Sequence, residues 1–373
     1  MMRENFVDQD ILPLTLGSIL LGSGGGGNAF TLTTPLENDL KRNKQRIKVI
    51  PYHQLPDNYT VASVGLLGSP ELMEENLPDG SEGKRAINLL EKAINRKVDA
   101  LFALEAAGIN ILYPLMVAAK TGIPLVDGDG MGRAFPELHM TTFHIYGQPG
   151  TPSALANSEG KEDLFFHEDN FLFDLNIRKA LVKYGGVGYF AGQAMTGREM
   201  KEFIVPGTLS FALEMGLALK NGPYEDTFQG LSHVTKNSIY GQAIELFIGS
   251  VVEIGNIATQ KLKSVVLKGI KHYQADSFQV LIQNENVFAY RNDKMVAMVP
   301  DIISFLEYPS GKPINNNEIY NGMQIAVIGI PCPNMLRTTK ALTVVGPASF
   351  GYKSSYEPLE MFHPDYYFGK NGV

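Results

Sequence analysis

Residues 123 to 137, Ile-Pro-Leu-Val-Asp-Gly-Asp-Gly-Met-Gly-Arg-Ala-Phe-Pro-Glu, join a short apolar run to two aspartates, three glycines, an arginine and a glutamate. An apolar run that ends so abruptly in charge reads as the carboxyl end of a buried strand, the edge at which open α/β sheets carry their chemistry. Gly128, Gly130 and Gly132 permit positive φ and close approach of backbone to a ligand, while Asp127, Asp129, Arg133 and Glu137 supply charge. A functional loop accounts for that combination. The plainer alternative is a solvated turn whose aspartates cap the next segment.

The chain before this loop alternates in the same way. A helix is expected over residues 8 to 21, stopping at Gly22, then a strand from Thr60 to Leu67 and a helix from Glu82 to Asn95. A strand from Asp99 to Leu104 and a helix from Asn110 to Lys120 follow, leading to the strand Ile123 to Val126. Such alternation predicts a three-layer α/β domain with a mostly parallel sheet. Helices over Phe171 to Tyr184 and Gly207 to Lys220, and a strand over Val187 to Ala194, are assigned to the same domain. Beyond residue 225 the texture becomes short β-type runs, from Ser250 to Glu253 through Gln324 to Ile330 and Leu342 to Val345, which predict a β-barrel-like domain. The expected division is therefore 1–225, with 346–373 returning to it, and 226–345, with a cleft near their junction.

Composition narrows the function. A net charge of −7, with no basic run longer than residues 41–46, argues against a nucleic-acid partner. A single cysteine excludes an internal disulfide framework. The acidic start, and the absence of an apolar run long enough to span a bilayer, lead to the expectation of a cytoplasmic protein with no membrane partner.

Three further motifs carry candidate chemistry. Gly22-Ser-Gly-Gly-Gly-Gly-Asn28 has five glycines in seven residues, so Gly24, Gly25, Gly26, Gly27 and Asn28 are candidate ligand-binding residues; a plain helix stop is the alternative. A dinucleotide fingerprint would need a strand before the glycines, and a helix is expected there instead. Glu105 follows the strand 99–104 in Glu-Ala-Ala-Gly-Ile-Asn110 and would emerge beside Asp127 and Asp129 if the strands are neighbours. Paired carboxylates would set a proton donor beside an acceptor, whereas the bland reading has Glu105 capping the helix near Asn110. Glu105, Asp127, Asp129 and Arg133 are thus expected to line one cleft, with Asn110, Gly130 and Glu137 contacting substrate. Asp127, held among glycines, is expected to support little core, so Asp127→Asn should cost activity and not folding. No cofactor is required; Asp127, Asp129, Glu137 and His139 are metal-ligand types, which leaves a divalent metal open. Cys332, between two prolines with no adjacent base, reads as an incidental thiol. Tyr352, in Gly346-Pro-Ala-Ser-Phe-Gly-Tyr352, either faces the cleft or packs.

Taken together, GSGGGGN, Gly68-Ser-Pro, EAAGIN, VDGDGMGRAFPE, QNEN at 283–286, VPD at 299–301 and GPASFGY resemble the S-methyl thiohydantoin desulfurase family. Members often lie beside hydantoinase and oxoprolinase-type proteins. Departures fall at Ala106 and Ala107, where EIGGxN is usual, and at Ala348, Ser349 and Lys353, where GPRAFGYD is usual; they put the substrate in question more than the fold. The resemblance implies an α/β domain followed by a β-barrel-like domain. It also implies a hydrolase-type desulfurase that adds water to an S-alkylated thiohydantoin or related cyclic amide ring and releases a thiol. The alternative is a non-catalytic ligand-binding partner of a hydantoinase-like enzyme. A homo-oligomer is expected in either case.

Overall fold

The computed structural model describes residues 3–68, 72–73, 77–167, 169–219, 222–257 and 262–369. Its contacts divide the chain into two compact units, Met1–Ser18 with Gly26–Leu213, and Ile19–Gly25 with Glu214–Val373.

The first unit contains, in chain order, β1 (Asn5–Phe6), α1 (Asp8–Leu21), α2 (Phe30–Asn43), β2 (Ile47–Pro51), β3 (Thr60–Gly68), α3 (Ser81–Ile94), β4 (Ala100–Ala103), α4 (Ile109–Thr121) and β5 (Leu125–Asp129). The chain continues through α5 (Thr142–Ile145), β6 (Ser153–Ala156), β7 (Glu162–Phe165), α6 (Asn170–Lys183), β8 (Val187–Thr196), α7 (Gly197–Phe203), β9 (Val205–Pro206) and α8 (Thr208–Leu219), the last crossing the unit boundary. The strands form one sheet in the order β1-β2-β5-β4-β3-β8-β6-β7, with β9 on β5. Only the central run β2-β5-β4-β3 is parallel; β1, β8, β6, β7 and β9 all pair antiparallel. The expected mostly parallel sheet is therefore a mixed one. Its antiparallel flank comes from residues 153–196: β6 and β7 form a hairpin, and the chain then crosses through α6 to β8, which pairs antiparallel with both β6 and β3. The centre reads as it should: β4 is Ala-Leu-Phe-Ala and wholly buried, because helices cover both faces of a parallel core. Phe102, Val61 and Val126 pack with Phe143 and Met200 on one face. On the other, α3 turns Ala86, Ile87 and Leu90 inward, and α4 is buried from Ile109 to Ala118.

Helix α9 (Tyr224–Lys236) opens the regular structure of the second unit beyond α8, so the β texture starts at residue 244 rather than 226. It is followed by β10 (Ile244–Ile257), β11 (Leu262–Gly269), β12 (Ser277–Gln283), β13 (Glu285–Arg291), β14 (Lys294–Met298), β15 (Ile302–Glu307), β16 (Pro313–Ile314) and β17 (Gln324–Ile330). The pairings make an antiparallel sheet, β14-β13-β12-β11-β10-β17-β15-β16, in which no pair among the described residues joins β14 to β16. The sheet is thus not closed into the expected barrel. The chain ends in α10 (Thr339–Val345), α11 (Leu359–Phe362) and α12 (Pro364–Phe368), all grouped with this unit and not with the first. Residues 342–345 are helical, not a strand: Thr338 caps the helix by accepting from the Ala341 N–H, and that local bond outweighs the β propensity of Thr343-Val-Val. No described helix is long and apolar enough to cross a membrane.

Candidate functional site

β4 and β5 are parallel neighbours, so the loops that leave their carboxyl ends emerge side by side. Two backbone bonds fasten them. The Ala106 N–H donates to Asp129 Oδ2 at 2.9 Å, and the Gly130 N–H donates to the Leu104 carbonyl at 3.1 Å. A third segment joins on the other side of the turn: the Ile109 N–H donates to the Gly26 carbonyl at 2.8 Å, and the Gly108 N–H to Ser18 at 3.0 Å. Gly108 has φ +52°, and a Cβ there would lie 1.9 Å from the Gly26 oxygen, so only glycine lets these segments meet. The Glu105–Asn110 turn is thereby the hub between Gly26–Gly27 and Asp129–Gly132, the loops after β4 and β5 meeting as neighbouring parallel strands require.

The four charged candidates have different surroundings. Asp129 is fully buried and accepts from the Ala106, Met131 and Gly132 N–H groups; burial still pushes its carboxyl up to about 6. Asp127 is 1% exposed. Its Oδ1 accepts from the Leu209 and Ser210 N–H groups, both at 3.1 Å, and its Oδ2 from the Ser210 hydroxyl at 2.6 Å. These donors form the first turn of α8, so Asp127 supplies the negative charge at that helix N-terminus from 82 and 83 residues away. Burial raises its pKa, partly offset by Ser210. The expectation that Asp127 supports little of the core is overturned. Arg133, 1% exposed, donates through Nε to the Ala134 carbonyl and lies over the Phe135 ring at 5.2 Å. Glu105, at 8%, is the most exposed of the four, and its Oε1 accepts from Asn110 Nδ2 at 3.0 Å. Asn110 in turn bonds both the N–H and the carbonyl of Leu66, so it orients Glu105 while closing the end of β3.

Other candidates fall elsewhere. Glu137 pairs with Arg178. Arg178 also holds Asp174 at 3.3 Å, with His139 Nδ1 3.7 Å from Asp174. Glu137, His139 and Asp174 each place a ligand-type atom within 4.8 Å of the others, yet the guanidinium already supplies the cation between the two carboxylates. Burial, with Asp174 beside it, lifts Glu137 to about 7. Burial acts upward on Asp174 too, but His139, Glu137 and Arg178 outweigh it and leave that carboxyl at about 2. The sequence carried one signal for this cluster, an Asp174/Arg178 pair at i,i+4 on an expected helix. Ser210, the partner of Asp127, had none. Asn28 Oδ1 accepts from the Phe30 N–H at the start of α2. In the second unit Gly24 lies against Asn316, Gly25 against Glu285, and Tyr352 packs on Phe288 at 5.0 Å. Cys332 is buried there; Arg337 Nε donates to its Sγ, and its backbone N–H donates to Asp301, whose Oδ2 also accepts from Tyr356. Burial, with Asp301 nearby, pushes the thiol well above its usual range.

Family models described as S-Me-THD-like, N-terminal domain, and S-Me-THD-like, C-terminal domain, match residues 9–167 and 168–359. The chain belongs to the S-methyl thiohydantoin desulfurase-like family. The hub described above lies within the N-terminal domain of that family. An X-ray structure of a protein from Chromobacterium violaceum shares the fold with TM-score 0.79 at 24% identity, over 95% of this chain and 99% of that one. None of the curated proteins compared matches.

Proposed function

We propose that this family member adds water to C2 of an S-alkylated thiohydantoin or a related cyclic amide ring. The tetrahedral adduct then breaks its C–S bond, leaving a hydantoin carbonyl and a free thiol. One observation carries the reading: the bond from the Ala106 N–H to Asp129 fixes the two strand-end loops together with Glu105 at their seam. Glu105 is the general base. It takes one proton from water as oxygen attacks C2 and gives it to the departing sulfur, while the second proton of that water passes from the adduct's hydroxyl to the ring nitrogen as the carbonyl forms, so a single carboxylate, aimed by Asn110, does the work first given to a pair. Asp129 shapes the amide-rich loop and Asp127 anchors α8, both as supports. Backbone amides of the half-buried Gly26 and Gly27 are assigned to the charge that develops on the ring, a role for which the fully buried Arg133 is less suited.

The test is thiol release from an S-methyl thiohydantoin by the purified chain alone, read with a thiol reagent. Glu105→Gln is expected to reduce kcat by roughly 100-fold or more with little change in stability. Absence of thiol release from the unmodified chain, with hydantoin still bound, would replace the hydrolase by a ligand-binding partner protein.

A further inference from the structure

Helix α6 buries Phe173, Ile177 and Ala180 against its own unit. Its outer side is apolar as well. Phe166, just before it, and Phe171, Leu172, Leu175 and Val182 on it are 47–79% exposed. At 3.6 residues per turn, residues 171, 175 and 182 fall within about 40° of one another, with Leu172 about 60° further round, so they make one stripe and not a scatter. Single exposed apolar side chains are ordinary; a contiguous stripe marks an interaction surface.

The charges beside the stripe identify the occupant. Asp169, the helix cap, stands exposed at the amino end, and Lys179 and Lys183 stand exposed toward the carboxyl end. Such a face complements itself when reversed. We propose that α6 docks antiparallel on α6 of a second copy of this chain. A two-fold axis near Asn176 sets Asp169 of each copy opposite Lys183 of the other while the two stripes overlap. The half-exposed aromatic and aliphatic side chains offer on the order of 500 Å² per copy, about 1,000 Å² for the pair, which is the lower end for a specific interface. An interface of that size fits a transient, reversible dimer.

Sedimentation equilibrium of the full chain from about 1 to about 100 µM tests this. The unmodified chain is expected to dimerise. Leu175→Glu should be monomeric throughout with an unchanged circular dichroism spectrum, since this side chain is exposed in the monomer. Lys183→Glu, which sets like charges opposite Asp169, should weaken the dimer about tenfold at low salt, and Lys183→Arg should leave it intact. A chain monomeric at about 100 µM overturns the proposal, as does a dimer indifferent to Leu175→Glu or to Lys183→Glu.

Discussion

Removal of the Asp127 carboxylate separates support from chemistry. In Asp127→Ala the Leu209 and Ser210 N–H groups lose their acceptor at a buried helix start, while the Ser210 hydroxyl is free to turn elsewhere. Each orphaned buried donor costs roughly 1–3 kcal/mol, and loss of the anion at the helix N-terminus about 0.3–1 kcal/mol more. The burial that raises the Asp127 pKa works the other way, because removing a desolvated charge returns part of that cost. The balance is a loss of about 2–4 kcal/mol. Asp127→Asn behaves differently: its Oδ1 still accepts both N–H groups, its amide faces Ser210 Oγ, and no charge is buried, so the change is within about 1 kcal/mol. Urea unfolding followed by circular dichroism measures both, and thiol release is assayed on the same samples. Alanine is expected to shift the midpoint well below that of the unmodified chain, with asparagine near it and still active. Were alanine within about 0.5 kcal/mol of the unmodified chain, or asparagine folded and inactive, Asp127 would belong to the chemistry and the argument from its hydrogen bonds would fail.

Asp129, raised from 3.8 to about 6, keeps its proton when folded in a pH range where the unfolded chain has lost it. Its contribution to stability is therefore greatest below about pH 4, falls as pH rises to about 6, and is flat above, by on the order of 3 kcal/mol. The stability difference between the unmodified chain and Asp129→Asn, measured by denaturant titration, should follow that curve; a difference independent of pH refutes it. Cys332→Ser should keep most thiol release, since a buried thiol held protonated is no nucleophile, and mass spectrometry should show no substrate adduct on Cys332. Gly108→Ala, whose Cβ would strike the Gly26 carbonyl at a positive φ, should both destabilise the first unit by roughly 3 kcal/mol or more and reduce thiol release; an alanine variant of ordinary stability and activity would show that the segments can meet without glycine.

What the sequence made legible follows the range of the interactions involved. Helices α1, α3 and α4 and strands β3 to β5 were readable because apolar periodicity and glycine stops act over a few residues. The convergence of the Glu105 and Asp129 loops was readable because parallel neighbours deliver their ends to one edge. The antiparallel flank was not, since pairing of β8 with β3 joins residues more than 100 apart and leaves no local trace in either. The partner of Asp127 was hidden for the same reason: Ser210 sits in an unremarkable helix start until the fold brings it over. Helix α10 was misread because four residues of β-type side chain are weaker evidence than one capping threonine.

The departures from the family pattern at Ala106 and Ala107 acquire a meaning from this geometry. Position 106 serves Asp129 through its backbone N–H, which every residue but proline supplies, so a different side chain there keeps that bond and is limited only by the packing around a buried position. Position 108 is not free, because its Cβ-less backbone is what allows the Gly26 carbonyl to reach Ile109. The hub is therefore a main-chain construction in which two glycines and one buried carboxylate are fixed by geometry. The side chains at 106 and 107 are both buried and lie next to Glu105 in sequence, the residue to which the proposed function gives the chemistry. Under the proposed function, Ala106→Ile should keep the backbone N–H bond to Asp129, lower stability by about 1–3 kcal/mol because the site is buried, and change the KM ratio between thiohydantoins with small and large ring substituents. Steady-state kinetics on two such substrates measures that ratio. An unchanged ratio in a stable variant would remove position 106 from the substrate's surroundings.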